Sequence, residues 1–187
     1  KNITNSFKSF QLRALKDLLS EWSKRGAKHN GLLNLTLQSL ASSADFVFDL
    51  HTGPVATRYV YTPSFALEDA FHFGFPHLLE IPHEFAGAQD EATFMNWIAL
   101  QKVLKEQWKI EFELPFRSYT LELGGEERIS SQEAEKDSYG LLRYLTHKGM
   151  ISHKEFSRLA GETWVESSEQ KEMAVCQLED YQTYYAP

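Results

Sequence analysis

Asp45-Phe46-Val47-Phe48-Asp49-Leu50-His51-Thr52-Gly53-Pro54 opens on a nearly continuous apolar run and closes on a histidine followed by a Thr-Gly-Pro turn. A run this short, aromatic and β-branched, bounded by turn residues, reads as a strand buried in an α/β sheet. Ser118-Tyr119-Thr120-Leu121-Glu122-Leu123-Gly124-Gly125 repeats the pattern, with a carboxylate where the first stretch has an imidazole. Open α/β sheets deliver reactive side chains to the edge where strands end, and glycine turns leave that edge accessible. Two strand ends thus present a histidine, able to hold a metal, and a glutamate, able to move a proton.

Outward from these strands, Phe10, Leu12, Leu15, Leu18, Leu19 and Trp22 recur at steps of three and four, predicting an amphipathic helix over 9–25 that Gly26 terminates. A second helix is expected over 31–41 with Leu33, Leu37 and Leu40 on its apolar face, broken by Ser42-Ser43. Tyr59-Val60-Tyr61 reads as a strand, Ser64 as the cap of a helix over 65–73, and Leu78-Leu79-Glu80-Ile81 as a strand between Pro76 and Pro82. A longer helix is predicted over 90–108, carried by Phe94, Trp97, Ile98, Leu100 and Leu104, and Pro115 forbids its continuation. Ser131, Glu133 and Glu135 mark a helix start that suits the helix dipole, and Leu141, Leu142 and Leu145 carry that helix toward Gly149. Strands alternating with helices imply an α/β fold, a three-layer sandwich with a mainly parallel or mixed sheet. The core is expected over 1–160, with 161–187 as a linker or the start of an absent β-domain.

A chain of 187 residues can bury a core of its own, and its length suits one domain. With 42% hydrophobic and 24% charged residues the composition is that of a globular protein. The net charge of -7 and the lack of a Lys/Arg stripe argue against a nucleic-acid partner. No apolar run approaches the roughly 20 residues of a membrane span. A single cysteine, Cys176, excludes an internal disulfide and points to a reducing compartment, so a cytoplasmic location is expected. The chain begins at Lys1 without a charged-then-apolar leader, as an excised piece of a longer protein would.

Asp49 precedes His51 by two positions, so on a strand the two side chains share a face, and Asp49 is expected to orient the imidazole while its other nitrogen binds a metal. A strand-end histidine that merely bonds to backbone is the bland alternative. Glu122 interrupts an apolar strand, where a carboxylate is costly unless paired or functional; burial raises its pKa toward the range useful to a general base, and a neighbouring metal opposes that shift. A structural ion pair with Arg58 or Arg117 is the dull reading, although Arg117 is five positions away on the same strand and points to the other face. Three of the seven histidines lie in 71–84. His77 and Glu80 have the H-x-x-E spacing of some zinc hydrolases, but a three-residue offset on a strand places them on opposite faces. His83-Glu84 opens like a zinc-protease helix signature, and Gly87 stands where its second histidine is needed. His29, His147 and His153 are expected in solvent. Gly124-Gly125 lacks the following lysine of a phosphate loop, and Ser118 or Cys176 would need a histidine partner to act as nucleophile.

Taken with Gly140-Leu141-Leu142-Arg143-Tyr144-Leu145, the two strand motifs resemble the succinylglutamate desuccinylase/aspartoacylase family, relatives of the zinc carboxypeptidases. The similarity runs over about 33–151. The resemblance implies that His51 is a zinc ligand and Glu122 the catalytic base. It also implies two further zinc ligands from an H-x-x-E element upstream of His51, and an Asn-Arg motif for the substrate carboxylate; neither is found here. The tail Tyr184-Tyr185-Ala186-Pro187 resembles the family's entry into its C-terminal β-domain. The expected activity is removal of an acyl group from a small N-acyl amino acid, with one zinc ion in the intact enzyme and an empty site in this piece. Arg58, just beyond the His51 loop, is a candidate to attract the substrate carboxylate, with a surface salt bridge as its rival. Two other readings stay open: a scaffold without catalysis that binds a small acidic ligand or a protein, and a hydrolase built on His51, His77 and Glu80.

Overall fold

The structure, a computed structural model, describes residues 2–84, 87–160 and 174–177. Along the chain come α1 (Ile3–Lys24), α2 (His29–Ala41), β1 (Phe46–Gly53), β2 (Arg58–Pro63), α3 (Leu67–Ala70) between two 3-10 turns, β3 (His77–Ile81), α4 (Gln89–Trp108), β4 (Arg117–Gly125), α5 (Ser131–His147), α6 (His153–Ala160) and β5 (Ala174–Gln177). The strands form one sheet in the order β1-β4-β2-β3-β5. β2, β3 and β5 run parallel, and β4 runs antiparallel to β2. β1 runs with β4, since the Arg117 amide donates to the Asp45 carbonyl at 3.0 Å and the Glu126 amide to the Gly53 carbonyl at 2.8 Å. The expected α/β fold is therefore present, with a mixed sheet. Apart from β5, residues 161–187 lie outside the described residues, and so does the expected linker or domain entry.

The chain divides into two compact units, Lys1–Asp49 with His83–Ser118 and Leu50–Pro82 with Tyr119–Pro187. In the first, Trp97 of α4 is fully buried. Phe7 of α1 meets it edge-on at 4.9 Å, and Phe112 and Phe116 lie stacked against it at 6.3 and 6.2 Å. α4 starts where the Gly87 and Ala88 amides both donate to Glu91 Oε2 at 3.0 Å, which answers donors that a helix start leaves open. The packed face of α2 is not the one the leucine spacing predicts. Leu33, Leu37 and Leu40 are 56%, 43% and 65% exposed, whereas Leu35 and Ala41 are buried and Gln38 donates to the Ala92 carbonyl of α4 at 3.1 Å. The α2 face that packs is thus set by Leu35 and Gln38, a direction that helical periodicity cannot choose when leucines lie on both sides.

In the second unit the core is aromatic. Tyr144 of α5 stacks on Phe73 at 4.2 Å and bonds through its hydroxyl to that of Tyr119 of β4, 3.0 Å away, while Tyr119 also donates to the Ala66 carbonyl at 3.2 Å. α5 reaches this position because residue 140 is glycine: a Cβ there would stand 2.6 Å from the Phe73 carbonyl oxygen. The helix predicted over 65–73 is broken instead, with Ala66 at φ -116 and Gly74 left-handed at φ 68, so that the chain can turn under α5. Arg143 donates to the His72 carbonyl at 2.7 Å and fills the space above Gly74. The Gly140 to Leu145 stretch is therefore a packing motif. α6, which helical periodicity did not reveal, is announced by a capping box: the Glu155 amide donates to Ser152 Oγ and the Ser152 amide to Glu155 Oε2.

His147 is exposed, as expected, and its ring also stacks on that of His72 at 3.4 Å and lies 3.5 Å from one Asp69 carboxylate oxygen, while Lys148 approaches the other at 2.9 Å. Burial, and then the neighbouring His147 and Arg143, lower the His72 pKa from its ordinary 6.5. A histidine with a depressed folded pKa binds fewer protons folded than unfolded, so it adds stability above about 6.5 that is lost as pH falls through the folded value. Thermal unfolding of the wild type should therefore show a loss of stability below pH 6.5 that His72→Gln diminishes; identical pH dependence in the two proteins would exclude the stack as its source.

Candidate active site

β1 and β4 lie side by side and end at one edge. Between the bonds that mark their pairing, eight residue steps of β1 face nine of β4, so β4 carries one extra residue. Gly124, at φ 99, has the backbone suited to that bulge. The Asp45 bond carried forward sets His51 beside Glu122 and the Gly53 bond carried back sets it beside Leu123, so His51 lies level with the Glu122–Leu123 step on strands about 4.8 Å apart. The loop after His51 closes over the strand end that follows Glu122: a Cβ on Gly125 would stand 3.5 Å from the Pro54 carbonyl. His51 is exposed, and Glu122 and Asp49 are half-buried. Glu122 is thus at the partly wetted end of its strand, and the Tyr119 and Leu121 positions that precede it are the fully buried ones.

On the other flank of β4, Glu122 is paired with Tyr59 and Leu123 with Arg58. Directly opposed residues share a face of a sheet and successive residues alternate, so Tyr59 accompanies Glu122 while Arg58 belongs to the opposite face. Arg58 is 19% exposed, its guanidinium bonded to Asp137 of α5, 3.9 Å from Glu133 and 4.7 Å over the Phe75 ring. The Arg58 charge is answered inside the fold, on the far side of the sheet from Glu122, by an enclosed ion pair and not by the surface salt bridge that was the rival to its substrate role. Arg117, the other candidate ion partner, donates to the Leu114 and Phe116 carbonyls.

Tyr59 is the neighbour that sequence reasoning passed over. Its ring meets that of Tyr61 edge-on at 5.1 Å, and their hydroxyls are 3.4 Å apart. The Tyr-Val-Tyr alternation signals two phenols on one face; which strand they stand beside is not written in it. β3 pairs His77 with Tyr59 and Glu80 with Thr62. His77 therefore joins the Glu122 and Tyr59 row two strands away, roughly 10 Å by strand spacing, while Glu80 faces the other way. This removes the hydrolase built on His51, His77 and Glu80.

A zinc site of the kind the resemblance implies needs three protein ligands. Among the described residues no group of three or more His, Cys, Asp or Glu side chains is arranged to hold a metal ion. His51 has its carboxylate neighbour but no ligand set, so these residues alone do not fit the ion. No helix among them is long and apolar enough to cross a membrane.

Fold and edge chemistry define an α/β protein whose mixed sheet offers an imidazole and a carboxylate on adjacent strands. Among solved structures the chain is similar to a succinylglutamate desuccinylase/aspartoacylase family protein from Shewanella frigidimarina NCIMB 400, with 35% identity and a TM-score of 0.72 over 80% of this chain and 39% of that one. A protein of the same family from Shewanella amazonensis SB2B gives 36% identity and a TM-score of 0.72 over 79% and 40%. The chain is similar in sequence and fold to these succinylglutamate desuccinylase/aspartoacylase family proteins, and it spans about two fifths of their length. No protein-family model and no curated protein matches it.

Proposed function

We propose that this chain carries part of the reaction centre of a cytoplasmic deacylase that hydrolyses the amide of a small N-acyl amino acid. What supports the reading is that β1 and β4 are neighbours and bring His51 level with the Glu122–Leu123 step, in a chain similar by sequence and fold to members of the succinylglutamate desuccinylase/aspartoacylase family. Glu122 takes a proton from the attacking water as its oxygen bonds to the amide carbon. It returns that proton to the nitrogen as the carbon–nitrogen bond breaks. His51 is the metal ligand we assign among the described residues, and the remaining ligands are assigned to parts of the protein outside them.

The test uses the longer natural protein and a panel of N-acyl amino acids, with release of free amine as the signal. No release from any member ends the deacylase reading. Zinc content, measured separately, should fall to near zero in His51→Ala, and unchanged metal would remove His51 from the ligand set. The second reading is a scaffold that binds an acidic ligand without turning it over, and it fits the lack of a three-ligand group among the described residues as well as the first does. Saturable binding of an N-acyl amino acid without amine release would select it.

A further inference from the structure

Arg58 joins four parts of the second unit. It sits on β2 opposite Leu123, and its Cγ would stand 3.6 Å from a Cβ on Gly124, so the aliphatic stem lies against the bulge that ends β4. Its head bonds Asp137, approaches Glu133 on α5, and covers Phe75, a fully buried ring on the path into β3. The Arg58 Nε is buried without a hydrogen-bond partner among the described residues. An ion pair enclosed this far gains little net stability, because removing both charges from water offsets their attraction. For Asp137 the burial cost outweighs the arginine, and its pKa is raised from the ordinary carboxylate value of 3.8. A carboxyl group with a raised folded pKa subtracts stability at neutral pH. The pair fixes a guanidinium against a strand end two residues from Glu122, and that contact gives it a geometric role.

We infer that Arg58 and Asp137 form a brace that sets the end of β4 against α5 and so positions Glu122. The inference rests on the proposed deacylase activity, with Arg58 and Asp137 as positioning residues that touch neither substrate nor water. Gly124 makes the brace necessary. A left-handed glycine at a bulge leaves the strand end free to pivot, and the arginine stem is the side chain packed on it.

The test compares Asp137→Asn, Asp137→Glu and Arg58→Met with wild type in the longer natural protein, reading kcat, KM, melting temperature and amide hydrogen exchange at 121–125. Loss of the brace should lower kcat about tenfold with KM within about twofold, as expected for a displaced catalytic group. Exchange at 121–125 should quicken in Asp137→Asn and Arg58→Met beyond any change in global stability, and Asp137→Glu should restore most of both signals. A fall in melting temperature with kcat and local exchange unaltered would reduce the pair to a structural contact and overturn the inference. If the wild type releases no amine, the deacylase reading fails by itself, and the exchange comparison still decides whether the pair holds the strand end.

Discussion

Glu122→Gln in the longer natural protein should lower turnover by about a thousandfold while substrate binding changes by no more than a few-fold, within the range that loss of a general base produces. Glutamine keeps the size of the side chain and its half-buried place at the strand end, and removes only the ability to accept and return a proton. A fall in binding with turnover per bound substrate intact would assign Glu122 to substrate contact. A fully active variant would require a different base, and Tyr59, paired with Glu122 on the adjacent strand, is the first alternative on that face.

Tyr144→Ala should destabilise the fold by about 3–5 kcal/mol, the cost of deleting a large buried aromatic whose space cannot close. Tyr144 is fully buried, lies parallel to Phe73 at 4.2 Å and edge-on to Tyr119 at 5.4 Å, and bonds the Tyr119 hydroxyl. Collapse is hindered because Gly140 already brings the α5 backbone against the Phe73 carbonyl. Tyr144→Phe separates the two contributions. It keeps the ring and removes one hydroxyl while Tyr119 retains the Ala66 carbonyl, so it should cost about 1 kcal/mol. Denaturant unfolding of the two variants measures both, and similar losses would mean that the hydroxyl network, not the ring, carries the stability.

What the sequence revealed follows from where local signals are sufficient. Strand ends at His51 and Glu122 are legible because short apolar runs stop at glycine, and α4 is legible because Phe94, Trp97, Ile98, Leu100 and Leu104 recur along it. Which face of α2 packs was not legible: Leu33, Leu37 and Leu40 make a cleaner stripe than Leu35 with Gln38, yet Gln38 is what bonds α4. The partner of Arg58 was equally hidden, since Asp137 lies 79 positions away and only the packing of α5 on the second unit brings it near. His147 is exposed, as its polar context suggests, and only its stacking on His72 was not legible, because the broken helical turn brings that ring near. Ser152 and Glu155, by contrast, wrote the start of α6 in plain view.

β4 has a companion of like polarity on one flank and one of opposite polarity on the other. Deleting a single residue between Arg117 and Glu122 would slide the strand against both at once and turn the carboxylate to the reverse side. Tolerance to gained or lost residues should therefore concentrate at 54–57 and 126–130, while the span from Arg117 to Gly125 keeps a fixed length in any working protein built on this scaffold.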